Sequence, residues 1–267
     1  IEVGALAFKL FLGAQIGGIN VKDNNQLIQA FTIAKEIGVP VAVHAEDMET
    51  IENVKERMRE AGRDDIEAFL KAHPVEAEVK AIKRIIRLVE KTGVHVHFCH
   101  LSSAAGLKAV SEAKKAGLPI TCEVTPHHLF LTWETLKEDT MAVMVPPLRS
   151  KEDTQALWSA LKEGLIDIIA SDHAPHVLED KKSPSIWKVK SGIPGLETSL
   201  PLILNQVNKG NLKLSDVVRL TSEKPAEIFR LKDRGGLHEG FYADITVIDM
   251  KRAVSYTHLR AHETSLH

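Results

Sequence analysis

Five short apolar runs rich in β-branched residues recur along this chain, and each is followed by a stretch with the periodicity of an amphipathic helix. Parallel strands need crossover connections, and the helix is the usual one, so this alternation predicts a parallel sheet covered by helices. The runs are Ala5 to Leu12, Val39 to His44, Val94 to His100, Pro119 to Val124 and Ile166 to Ala170. Helical patterns cover Asn25 to Ile37, Asp47 to Glu60, Val75 to Lys91, Ala105 to Ala116 and Asp153 to Glu163. Gly38, Gly93 and Gly117 mark helix stops, where glycine takes the left-handed C-cap, and Pro40 and Pro119 forbid continuation. A Gly/Pro/Lys-rich loop from Lys181 to Gly195 precedes helices around Leu200 to Val207 and Ser215 to Phe229, and Leu237 to Asp249 reads as a turn plus one strand.

Four residues close these runs: Lys9 in ALAFKLFLG, His44 in VPVAVHAED, His100 in VHVHFCHLSS and Asp172 in IDIIASDHAPH. In a parallel β/α barrel the C-terminal strand ends are where side chains converge on a substrate, so the four together read as a metal site. Taken singly, each has a structural explanation. Lys9 could snorkel to a carboxylate, His44 and His100 could be hydrogen-bonded core histidines, and Asp172 could be a helix cap. Their repetition at successive strand ends favours the metal. His95 and His97 precede the end of their strand and read as structural or surface residues; His127 and His128 in TPHHL follow the fourth run and could lie near the rim.

Composition narrows the function. With 44% hydrophobic and 26% charged residues, and a net charge of -2 from 34 basic against 36 acidic residues, the chain has no electrostatic footprint for nucleic acid or an anionic membrane. Small-molecule chemistry is the expectation. Cys99 and Cys122 are too few for a disulfide framework, which fits a reducing, cytoplasmic compartment. No apolar run has the ~18 residues of a spanning helix.

The stretches AFKLFLG, VHAED, HFCHLSS, EVTPHHL, PPLRS, SDHAPH and GIPGLETSLPL, followed by GGLHEGFYADITVID, run from Gly4 to Asp249. In these the chain resembles the cyclic amidohydrolases, most closely the dihydroorotases. The resemblance implies a metal-dependent hydrolase that interconverts dihydroorotate and N-carbamoyl-aspartate in pyrimidine synthesis. It implies two Zn2+ ions bridged by carboxylated Lys9, with His44 and His100 on one metal. Asp172 would bind the other metal and shuttle the proton, and His176 would hold the substrate carboxylate. Gly192 and Gly195 supply permissive backbone close to ligand. It further implies a homo-oligomer and, in some relatives, association with aspartate carbamoyltransferase. The chemistry suits these residue types: water and amides are both sluggish, neutral histidine is a zinc ligand, and desolvation favours the neutral lysine amine that reacts with carbon dioxide.

The fold implied is an α/β (β/α)8 barrel of which only strands 4 to 8 are present, over residues 1–235. A remnant β-sandwich strand follows in 236–250, then a divergent, disordered tail in 251–267. The absent strands are expected before Ile1. Departures from the family pattern accompany this. The His-x-His pair of the first barrel strand and its nearby arginine have no counterpart, and Val145 stands where dihydroorotases often carry an asparagine that contacts the pyrimidine ring. The alternatives are a hydantoinase- or allantoinase-type amidohydrolase, and a non-catalytic scaffold relative.

Overall fold

The structure, a computed structural model, describes residues 4–13 and 18–252. Strand β1 (Phe8–Phe11) is followed by α1 (Asn24–Ile37), β2 (Val41–His44), α2 (Met48–Glu60), α3 (Ile66–Ala72), α4 (Val75–Thr92) and β3 (Val96–Phe98). Then come α5 (Ala104–Lys115), β4 (Ile120–Val124), α6 (Pro126–Phe130), α7 (Trp133–Glu138), α8 (Lys151–Lys162) and β5 (Ile168–Ile169). The last part is helical: α9 (Leu178–Lys181), α10 (Leu196–Asn208), α11 (Leu214–Val218) and α12 (Lys224–Ile228). The strands form one parallel sheet in the order β1-β2-β3-β4-β5. All five expected strands are present, each shorter than its apolar run, because ladder pairing stops before the flanking apolar residues do.

Helices α1, α4, α5 and α8 pack side by side along one face of this sheet. Their apolar stripes, among them Leu27, Phe31, Ile82, Ile85, Val110 and Leu157, meet Val41, Val43, Val96, Phe98, Cys122 and Val124 in one buried core. Asp23, Asp47, Asp65, Ser103 and Ser150 start α1, α2, α3, α5 and α8 by accepting from first-turn amides. A smaller apolar cluster around Phe69, Leu136, Val143, Met144, Ile186 and Val189 lies under the connection after β4. No helix among the described residues is long and apolar enough to cross a membrane.

Two expectations are corrected. Residues 243–249 form no strand: the backbone finds no ladder partner among the described residues, and Ile245 and Val247 are 65% and 91% exposed. Alternating hydrophobicity makes a strand only where a neighbouring strand and a core receive it. The single helix expected over Ser215 to Phe229 is α11 and α12 joined by a π-helical turn, Arg219–Glu223. The tail 253–267 lies outside the described residues.

Candidate active site

The C-terminal ends of the strands open on a cavity of about 440 Å³ lined by Lys9, His44, His100, His127, Asp172 and Gly192, among others. Parallel pairing creates this convergence: Lys9 lies beside Ala42 and Phe11 beside His44 in the β1–β2 ladder, and Val43 beside Phe98 in the next. His100 follows β3 by two residues and Asp172 follows β5 by three. Both adopt left-handed backbone, with φ of 37° and 44°, a conformation that costs a non-glycine residue energy and that clusters where side chains must be aimed.

His44 Nδ1 and His100 Nε2 face each other at 3.0 Å. On the far side of the His44 ring, Nε2 donates to Glu46 Oε2 at 2.8 Å, and this tautomer leaves a lone pair on Nδ1. Burial would raise the Glu46 carboxyl, but the His44 hydrogen bond and the nearby His73 ring outweigh it and hold Glu46 well below the usual carboxylate range. Burial also holds His100 well below the ordinary histidine value, which keeps its imidazole neutral. Two neutral ring nitrogens bound to one tetrahedral zinc at ~2.0–2.1 Å would stand about 3.3 Å apart, so this pair fits one metal ion. Among the described residues no group of three or more His, Cys, Asp or Glu side chains is gathered as a metal cluster.

Asp172 is reached by solvent, yet the protein around it pushes its carboxyl up, first by desolvation and then by repulsion from Glu123. Lys9 departs from expectation. It is exposed rather than desolvated within its apolar run, because β1 is an edge strand and nothing among the described residues covers that side. Its Nζ donates to Cys99 Sγ at 2.9 Å and stands 5.0 Å from the Phe11 ring centroid. Burial pushes the Cys99 thiol up to about 12, so it remains protonated.

Of the residues singled out from sequence, Lys9, His44, His100, Asp172 and Gly192 line the cavity. His176 and Gly195 stand behind the lining. His176 Nε2 lies 3.0 Å from Ser191 O, and Gly195 N donates to His173 Nδ1 at 3.0 Å. Gly192 is required where it is: its φ is 136°, and an added Cβ would meet the Ala174 Cβ at 2.6 Å and carbonyl at 2.7 Å. Val145 lines the cavity, as its place at the ring-contacting position implies, and Met48 and Met144, which the sequence did not single out, line it too. Arg149 of the PPLRS stretch is buried and donates to His73 O and Ser102 Oγ beneath the site.

A family profile described as Amidohydrolase family matches residues 18–264. The chain belongs to the amidohydrolase family. Curated relatives of this amidohydrolase include several named dihydroorotase. The one from Pyrococcus furiosus is 39% identical over 246 residues, covering 92% of this chain and 51% of its own length. The one from Brevibacillus brevis is 40% identical over 237 residues, covering 88% and 55%. The chain thus spans about half the length of the curated relatives it matches. Among solved structures, the L-hydantoinase (dihydropyrimidinase) from Arthrobacter aurescens superposes with a TM-score of 0.85 at 33% identity, covering 91% of this chain and 55% of that one.

Proposed function

We propose that this chain carries part of the active site of a metal-dependent dihydroorotase, which reversibly hydrolyses the cyclic amide of dihydroorotate to N-carbamoyl-aspartate. The observation that carries the reading is the convergence of His44 Nδ1 and His100 Nε2 at 3.0 Å in a cavity that Lys9 and Asp172 also line. Identity near 40% to relatives named dihydroorotase supports that substrate over hydantoin. In this reading the chain forms strands 4 to 8 of a (β/α)8 barrel.

His44, His100, Asp172 and Lys9 as its carbamate would hold the metal, with zinc the expected ion. When bound, such a metal supplies Lewis acidity, polarising the amide carbonyl and making water nucleophilic near neutral pH. Asp172, at the strand ends beside the cavity, then accepts the proton of the attacking water on its carboxylate and delivers it to the departing amide nitrogen. Gly192 lets backbone approach the ring, and His176 braces the adjoining Ser191 carbonyl. Val145 presents an apolar wall to the ring. The hydantoinase alternative rests on the structural likeness to the Arthrobacter protein.

The test is zinc binding and turnover in this chain, and in a form extended upstream by the corresponding segment of the Pyrococcus furiosus relative. The expected result is zinc binding that His44→Asn abolishes, and dihydroorotate turnover in the extended form that Asp172→Asn lowers by roughly 10²–10⁴-fold. Zinc binding with turnover of hydantoin and none of dihydroorotate would move the assignment to the hydantoinases. Absence of zinc binding in both forms would leave a scaffold relative.

A further inference from the structure

Lys181, at the end of α9, is 2% exposed, so its ammonium is sealed inside the protein. It donates to Val143 O at 2.8 Å, Lys190 O at 2.8 Å and Gly192 O at 2.9 Å. An ammonium has three donors, and here each ends on a backbone carbonyl. The carbonyls belong to two segments, 143–145 and 190–193, which also meet through Gly192 N donating to Val143 O at 2.9 Å. Met144 and Val145 from the first, and Ser191, Gly192 and Ile193 from the second, line the cavity.

Val143, whose carbonyl Lys181 holds, and Val189, next to Lys190, belong to the smaller apolar cluster, and a buried neutral side chain of similar length would pack at lower cost than a charge. Burial, partly offset by Asp139, pulls the ammonium down to about 8, while hydrogen bonds to carbonyls favour the charged form. Charge at this point is explained by what it holds together. We propose that Lys181 is a positioning residue, whose three hydrogen bonds fix the separation of the 143–145 and 190–193 segments and so set the width of the ligand cavity. The identity of the ring admitted there rests on the proposed dihydroorotase reading; the clamp itself rests on the hydrogen bonds alone.

Two measurements on this chain test the clamp. In protein labelled with ¹⁵N-lysine, one ammonium signal should exchange its protons slowly, and it should vanish in Lys181→Met. In the same variant the Lys190 and Gly192 amides should exchange at least about tenfold faster, while those of Val96 and Phe98 in β3 stay as protected as before. No slow ammonium signal in the unsubstituted protein overturns the proposal, even if Lys181→Met fails to fold. Unchanged exchange at 190 and 192 in a folded Lys181→Met chain also overturns it. In the extended form that turns over dihydroorotate, Lys181→Met should raise KM by about tenfold with a smaller change in kcat, the signature of lost ground-state fit. Equal falls in kcat and kcat/KM would reduce Lys181 to a structural lysine. Inactivity of the extended form would count against the dihydroorotase reading, while the exchange data would still decide the clamp.

Discussion

His128 shows how one side chain ties burial to acid sensitivity. It is 2% exposed; its Nδ1 lies 2.8 Å from Thr125 Oγ1 and its Nε2 3.1 Å from Pro146 O. The carbonyl can only accept, so Nε2 carries the proton and Nδ1 accepts from the hydroxyl, an arrangement complete in the neutral ring. Burial lowers His128 from 6.5 to about 4, and His100 and His127 move the same way. Above pH 6.5 the ring is neutral folded or unfolded. Between pH 6.5 and 4 the unfolded chain binds the proton and the folded one does not, so stability falls with pH, by on the order of 3 kcal/mol for His128 at ~1.36 kcal/mol per pH unit. Urea titrations at pH 7 and pH 4.5 should show the loss, and His128→Gln should flatten it. An identical slope in the variant would sink the argument. TPHHL flagged this residue as near the rim, but its protonation follows from Thr125 and Pro146 closing around it, which periodicity does not encode. Glu46 was equally hidden: nothing in VHAED marks it, and only the folded ring of His44 gives it a role.

Among the elements, helix stops at Gly38, Gly93 and Gly117 were the most legible because their signal is local; helix starts carry a local signal too, an Asp or Ser side chain that caps amides two or three residues ahead. Helix α8 adds a second tier. Ser150 and Asp153 form a reciprocal capping box, and Asp153 Oδ1 also accepts from Ala104 N at the start of α5 at 2.9 Å. One carboxylate therefore serves two neighbouring helices, and Asp153→Ala should cost about 1–2 kcal/mol in chemical denaturation. A loss no larger than that of Ser150→Ala would show that the bridge to α5 contributes nothing. Non-local pairing was harder to foresee. The Ala243 to Asp249 pattern alternates as a strand should, yet no ladder receives it, whereas β5 keeps only Ile168–Ile169 because only Glu123 and Val124 lie opposite. Short α6 had a signal that went unread: Thr125 caps it and Pro126 stands at its first turn.

At the scale of the molecule, the decisive feature is that β1 and β5 end an open sheet among the described residues. Among the described residues no strand pairs with the outer edge of β1, and Leu6 and Phe8 there are 43% and 42% exposed, as are Ile33 and Ile37 of α1 at 54% and 44%. A sheet edge that no strand among the described residues covers, with exposed apolar side chains beside it, is a template for pairing with another chain. The same openness explains why Lys9 is exposed although its sequence neighbours are apolar: a run of apolar residues predicts burial only if something lies on both faces of the strand. The chain should therefore self-associate with rising concentration, and Phe8→Lys should raise the concentration at which association begins by about tenfold, since a lysine at an edge opposes further pairing. Sedimentation velocity across a dilution series reads both quantities. A monomer at every concentration, or a Phe8→Lys chain that associates as readily as the unsubstituted one, would mean that the β1 edge is not where copies meet.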